Sequence, residues 1–321
     1  MLKALLRSLR TGVVTVSYPA SPAPVPERFR GAPTVRAGAA FDRLPKPASC
    51  PSGALAVRDG SPPRYTIDLA RCIFCGRCAG AETGLELGHQ IELASRRRES
   101  LVVQFERSPE GKAAVLPPAP AAEQVAQRIH QILGRSLALR HLDAGSCNGC
   151  DWELTTLLNP VYDVRRLGID FVASPRHADG VIVTGPVTRN LEQAVRKTWE
   201  AVPEPRIVVA VGACASSGGL PGKSYASAGG VGEVLPVDVF IPGCPPRPEA
   251  IIFGILLALG RTSPPLAKPA AAATSALSSP PAPAASAPLP KVGRAGGAGE
   301  GLAGARTHLL HRRKAWDGRM G

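Results

Sequence analysis

Aromatic residues are scarce in this chain: seven Phe, four Tyr and three Trp make up 4% of 321 residues. Readers of single-stranded nucleic acid interleave aromatic stacking platforms with a basic groove, and the absence of any such interleaving excludes that class. Long apolar runs are missing too. The longest spans residues 250–260, 11 residues, whereas a membrane-spanning helix needs roughly 18 or more, so no such span is expected. The first 12 residues, MLKALLRSLRTG, are basic, with no continuous apolar stretch and no small-residue cleavage site, which argues against a secretory leader. There is no G-x-x-x-x-G-K-[ST] phosphate loop, no Ser-His-Asp arrangement and no internal repeat, and GGVGE at 229–233 is too short a glycine signal for a nucleotide. These absences leave a chain expected in the cytoplasm that breaks no substrate bond itself.

What is present is apolar residues at 44%, enough for a core in each of two domains, and 34 Gly and 33 Pro spread unevenly. The net charge of +13 sits in the ends. Residues 1–46 carry eight Lys/Arg against two Asp/Glu, residues 261–321 nine against two, and the span between sums to zero. A neutral body with basic extensions suits electrostatic docking to acidic protein or anionic lipid better than nucleic-acid reading.

Five segments follow. Residues 1–48 place Leu2, Leu5, Leu6 and Leu9 at helical spacing, with Lys3, Arg7 and Arg10 available to the other side, then run into a Pro/Gly-rich extended arm. The helix, residues 1–12, suits a membrane surface, a partner or its own domain. Residues 49–107 are a small domain with short apolar segments at 54–57 and 101–105 around a cysteine cluster. Residues 108–122, with SPEGKAAVLPPAPAA, form a linker. Residues 123–262 alternate helical and strand-like patterns, as parallel sheets with flanking helices do. Strands are expected at 137–141, 169–173, 181–184, 207–211 and 237–241, helices at 123–133, 152–158, 191–201 and 247–259. Residues 263–321 form a Pro/Ala-rich basic tail, in which 22 of residues 264–290 are Pro, Ala or Ser, a composition that assembles no core.

Eight cysteines divide four and four between the two domains. In a cytoplasmic chain of this size metal binding precedes disulfides as the reading. RCIFCGRC places Cys72, Cys75 and Cys78 at C-x2-C-x2-C, which wraps one side of a cubane cluster. In two-cluster ferredoxins the fourth thiolate comes from a Cys-Pro step of the other motif, and Cys50 precedes Pro51. The partner positions for a second cluster hold Ala40, Arg43, Lys46 and Glu82, so one complete set of four remains. Zinc held by the same thiolates is the alternative. With the segment from Tyr65 to Leu69 and PERFRGAP at 26–33, this region resembles the ferredoxin-type subunit of respiratory complex I and of membrane-bound hydrogenases.

The second set is dispersed. Cys147 and Cys150 lie in GSCNGCDWE, Cys214 in GACASSGG and Cys244 in PGCPPRPEA, each after an expected strand. Open α/β sheets gather ligands outside the carboxyl ends of their strands, so distant cysteines can converge there. These motifs, with LLNPVYDVRRLGI and SPRHADGVIVTGPVTRN, resemble the small electron-transfer subunit of [NiFe] hydrogenases and its complex I relative over about residues 137–260. The separation of Cys147 from Cys150 by Asn148 and Gly149, where the quinone-reducing relative has adjacent cysteines, favours the hydrogenase branch, closest to the formate hydrogenlyase type.

The resemblance implies an α/β fold in which a small ferredoxin-like domain precedes a flavodoxin-like parallel-sheet domain. It implies two [4Fe-4S] clusters, one on Cys50, Cys72, Cys75 and Cys78 and one on Cys147, Cys150, Cys214 and Cys244. The partners it implies are a hydrogenase or complex I-like large subunit and membrane-arm subunits, at the cytoplasmic face of the inner membrane, with no nucleic acid. Among nearby residues, Trp152 and Leu154 are expected to pack the helix after the cysteine loop. Asp151 is expected to cap that helix or, with Glu153, to tune a cluster or relay a proton. Arg176 and His177 are expected to be solvated or capping, or to face the cluster or a partner interface, and Arg247 to bond cluster sulfur or a partner's carboxylate. The competing readings are a quinone-reducing subunit and a zinc-stabilised scaffold with basic docking tails.

Overall fold

Residues 180–184 (GVIVT) and 207–211 (IVVAV) are apolar without alternation, the pattern of parallel strands covered on both faces. Both segments are strands with every residue buried. The structure, a computed structural model, describes residues 2–80, 82–116 and 136–262. The helix expected at 123–133, the end of the linker at 117–122 and the tail from 263 lie outside the described residues.

In chain order the elements are α1 (Leu2–Thr11), β1 (Pro33–Val35), β2 (Leu55–Arg58), β3 (Arg64–Asp68), β4 (Leu85–Leu87), β5 (Val102–Arg107) and β6 (Ala113–Val115). They continue with β7 (Leu137–Asp143), α2 (Gly149–Thr156), β8 (Ile169–Phe171), β9 (Gly180–Thr184), β10 (Val187–Thr188), α3 (Arg189–Glu200) and β11 (Ile207–Val211). The last are α4 (Gly212–Ser217), β12 (Ser227–Gly229), β13 (Val239–Ile241) and α5 (Pro248–Ala258).

The main sheet has the order β13-β11-β9-β7-β8, and its pairs are parallel. Counted along the chain, that is the 2-1-3-4-5 arrangement of flavodoxin-like folds, whose order reverses between β7 and β9. α5 is apolar on all sides because it is covered on all sides, and each of its residues is buried.

The N-terminal part is antiparallel: β2-β3-β5-β6 form one sheet, and β1 pairs with β4. β6 stands where the linker was expected to begin. Its residues Ala113, Ala114 and Val115 pair with Arg107, Glu106 and Phe105, so the small residues that suggested a loop extend the sheet instead. The arm is packed as well. Tyr18 is buried, Val16 N donates to the Val161 carbonyl, and Arg166 Nη2 donates to the carbonyls of Val16 and Tyr18, both at 2.6 Å.

Ser95 and Phe240 exchange backbone hydrogen bonds at 3.0 and 2.8 Å, covering the open edge of β13. Arg96 Nη2 donates to the Leu257 carbonyl at 2.6 Å, fastening the same segment to α5. The described residues belong to one compact unit.

Candidate functional site

Cys50 follows a single 3-10 turn, Pro47–Ser49, and its sulfur accepts from Ala54 N at 3.3 Å. Cys72 follows β3, and its sulfur accepts from Phe74 N at 3.4 Å. That contact requires the chain to reverse tightly, and Phe74 sits in the left-handed region at φ 53°. Cys50, Cys72, Cys75 and Cys78 thereby line one small hollow together with Ile67 and Leu87.

The electrostatics of these thiols reflect their crowding. Burial pushes Cys72 up to about 12, opposed by the Phe74 amide and reinforced by the other three thiols. Burial also raises Cys78, with Cys50 and Cys75 adding to the effect. For Cys50 burial acts upward, but hydrogen bonds from Ser52 and from the amides of Ala54, Ser52 and Leu55 outweigh it and hold the thiol below its ordinary value. Thiols that resist joint ionisation beside one that favours it make a pocket suited to a cationic, thiophilic group.

The second set gathers at the carboxyl edge of the parallel sheet. Cys147 and Cys150 come from the loop after β7 and the first turn of α2, Cys214 from α4 directly after β11, and Cys244 from the loop after β13. Burial raises Cys150, and the nearby Cys214, Cys244 and Cys147 raise it further. Cys214 and Cys244 are raised the same way, by burial first and then by their neighbours in the set.

Two glycines make room for the sulfurs. A Cβ on Gly212 (φ +89°) would lie 2.5 Å from the Cys150 sulfur, and one on Gly219 (φ +60°) 2.6 Å from the Cys214 sulfur. The sequence motifs contain these glycines because no larger residue fits the cradle. Among the described residues no three His, Cys, Asp or Glu side chains close on a point where they would share one ion. The thiols of the first set line a hollow instead.

Asp151 does not cap α2; Asn148, at φ 66°, occupies the cap. The Asp151 carboxylate lies across the point where the strand order reverses. It accepts from Ser146 Oγ, from Thr184 Oγ1 of β9 at 2.6 Å and from His141 Nε2 of β7 at 2.8 Å. Burial lowers the His141 pKa more than Asp151 and Asp143 raise it, with Arg140 lowering it further, so the contact is a neutral imidazole donating a hydrogen bond. Burial acts upward on Asp151, but the donors Ser146, Thr184 and His141 hold it below the ordinary carboxylate range.

Sequence reasoning did not find His141 or Thr184, because residues 141, 151 and 184 share no local pattern and meet only through sheet order. Trp152 corrects an expectation: it is 72% exposed, whereas Leu154 is 3% exposed. Two residues along a helix is about 200°, so with Leu154 and Leu157 facing inward Trp152 points out. Arg247 finds its carboxylate within this chain, donating to Glu249 Oε1 at 2.9 Å. Glu249 is buried, and its Oε2 lacks a hydrogen-bond partner. Glu153 is raised by burial and by Glu249, against the pull of Arg247. Arg176 and His177 lie in the 3-10 turn Pro175–His177, which has no buried residue.

The parallel sheet, with four cysteines gathered at its carboxyl edge, defines an α/β protein of the flavodoxin-like class. The family described as NADH ubiquinone oxidoreductase, 20 Kd subunit, matches residues 147–258, which begin at Cys147 and contain the other three cysteines of that set. Similarity to the probable membrane-bound hydrogenase subunit mbhJ of Pyrococcus furiosus is 46% identity over 140 residues, 43% of this chain and 84% of that one. Formate hydrogenlyase subunit 7 of Escherichia coli is 44% identical over 126 residues, 39% of this chain and 49% of that one. An NADH-quinone oxidoreductase subunit of Citrifermentans bemidjiense is 52% identical over 107 residues, 33% of this chain and 62% of that one. The chain belongs to the NADH ubiquinone oxidoreductase 20 Kd subunit family.

Proposed function

We propose that this chain is the iron-sulfur electron-transfer subunit of a membrane-bound, [NiFe]-hydrogenase-like complex. Cys147, Cys150, Cys214 and Cys244 would hold one [4Fe-4S] cluster. Cys50, Cys72, Cys75 and Cys78 would hold a second, in a ferredoxin-type region that precedes the family match. Such clusters supply one-electron transfer. The protein's part is to bury the thiolates, donate amides to their sulfurs and fix the separation of the centres.

The observation that carries this reading is the convergence of each cysteine set: the first lines one hollow, and in the second Cys147, Cys214 and Cys244 all lie close enough to Cys150 to raise its pKa. One tetrahedral zinc draws its sulfurs to about 2.3 Å from a single centre, whereas a cubane meets one thiolate per iron and keeps them apart. Four thiols lining one shared hollow, as in the first set, fit the wider spacing of a cubane. The glycine cradles at Gly212 and Gly219 fit the same demand, since they let backbone approach the sulfurs closely.

The partners on this reading are a large subunit that carries the catalytic centre and the membrane-arm subunits. Attachment to the cytoplasmic face of the inner membrane would be peripheral, and among the described residues no helix is long and apolar enough to cross a membrane. The helix Leu2–Thr11, with Lys3, Arg7 and Arg10 exposed, is a second contact for that surface. A quinone-reducing assembly is the second reading, favoured by the 52% identical NADH-quinone oxidoreductase relative. The companion large subunit decides between them: two C-x-x-C nickel pairs support the hydrogenase, and their absence the quinone reductase. Metal analysis of anaerobically purified chain tests the clusters; about eight iron and eight acid-labile sulfide are expected, and two zinc without sulfide would overturn the proposal.

A further inference from the structure

Between the two cysteine sets lies a second cavity, of about 440 Å³, to which each set contributes one thiol: Cys75 from the first and Cys244 from the second. Phe74 lines both this cavity and the hollow of the first set. Of its charged lining residues all three are arginines, Arg28, Arg30 and Arg247. The arm between residues 24 and 31 ties the two walls together. Arg30 Nη1 donates to the Cys75 carbonyl at 3.1 Å, Arg247 Nη1 donates to the Pro24 carbonyl at 3.2 Å, and the Arg247 guanidinium lies 5.5 Å from the Phe29 ring. The backbone pair of Ser95 with Phe240 and the bond from Arg96 to Leu257 join the same two parts elsewhere.

We infer that Cys75 and Cys244 are the facing thiolates through which the two centres exchange electrons, and that residues 24–31 act as a strap fixing the gap between them. The inference rests on the reading that both sets hold clusters. In each exchange one centre loses one electron and the other gains it; no bond forms or breaks and no proton is required. An arginine-lined gap with no acidic wall lowers the electrostatic cost of placing that electron on either side. Because electron transfer slows steeply with separation, a strap that sets the gap sets the rate. Arg30 is thus a positioning residue, acting through the Cys75 loop.

The test is electron paramagnetic resonance of the full chain, reduced under anaerobic conditions after its iron has been counted. With both sites loaded, the reduced centres are expected to show mutual magnetic splitting and fast relaxation. Arg30→Ala, at unchanged iron content, is expected to reduce that splitting, and Arg30→Lys to restore part of it. Full iron with two magnetically isolated signals would overturn the facing-pair inference while leaving the cluster reading intact. An Arg30→Ala spectrum identical to that of the unaltered chain would overturn the strap. Iron at half the expected content would instead refute the reading on which the inference rests.

Discussion

Replacing Gly212 by alanine probes the second thiol set without touching a cysteine. The backbone there lies at φ +89°, and the added Cβ would stand 2.5 Å from the Cys150 sulfur. A left-handed conformation costs a non-glycine residue roughly 1–2 kcal/mol. Forcing a methyl into a filled site costs roughly 1–3 kcal/mol more. Gly212→Ala should therefore lose about 2–5 kcal/mol, a large share of the roughly 5–15 kcal/mol that holds a typical domain folded. Gly222→Ala isolates the first contribution, since Gly222 is also left-handed, at φ +60°, but nothing lies within 4 Å of its Cβ position. Gly232→Ala has neither penalty and should change stability by less than about 0.5 kcal/mol. Urea unfolding midpoints of the four chains, measured anaerobically beside their iron content, give the comparison. The expected order of loss is Gly212→Ala, then Gly222→Ala, then Gly232→Ala, with iron reduced only in the first. Equal losses for Gly212→Ala and Gly222→Ala, with full iron in both, would refute the placement of Cys150 against α4.

Three further outcomes follow from the same geometry. Leu154→Ala should cost about 2–5 kcal/mol because its side chain is buried, while Trp152→Ala should stay within about 0.5 kcal/mol because its ring is exposed; thermal melts of the pair check this. Trp152→Ala should nonetheless weaken capture of a large subunit, since exposed tryptophans are common interface anchors, and co-purification measures it. His141 is held below its ordinary pKa near 6.5, so the folded chain binds its proton less readily than the unfolded chain. Stability should thus rise with pH from the folded pKa of His141 up to about 6.5. His141→Gln, which can still donate to Asp151, should flatten that slope, and an unchanged pH profile of the unfolding midpoint would contradict the assignment of a neutral imidazole.

The parallel sheet was legible because its central strands, β9 and β11, are continuous apolar runs. Ile207–Val211 matches its expected bounds, and Gly180–Thr184 differs by one residue. Residues 237–241 shorten to Val239–Ile241; Asp238, which the apolar pattern counted into the strand, uses its side chain to accept from Val208 N at 2.7 Å. α2 starts at Gly149, before the expected Trp152, because a left-handed Asn148 turns the chain into the helix within the cysteine loop. α4 was hidden in GACASSGG: six residues long, opening on the left-handed Gly212 and ended by the left-handed Gly218, it shows neither helical length nor amphipathic period. β1, β4 and β6 are three residues each, too short for an alternation to register. The eight cysteines stood out through spacing and Cys-Pro context, whereas the Asp151 contacts with His141 and Thr184 depend on which strands become neighbours, and that is decided by packing over the whole sheet.

Iron content per chain in the unaltered protein and in three variants tests the two-pocket account most directly. The expectation is about eight iron for the unaltered chain, about four each for Cys72→Ser and Cys150→Ser, and almost none for the double variant. Eight iron surviving either single substitution, or loss of all iron from one of them, would contradict two separate four-thiol sites.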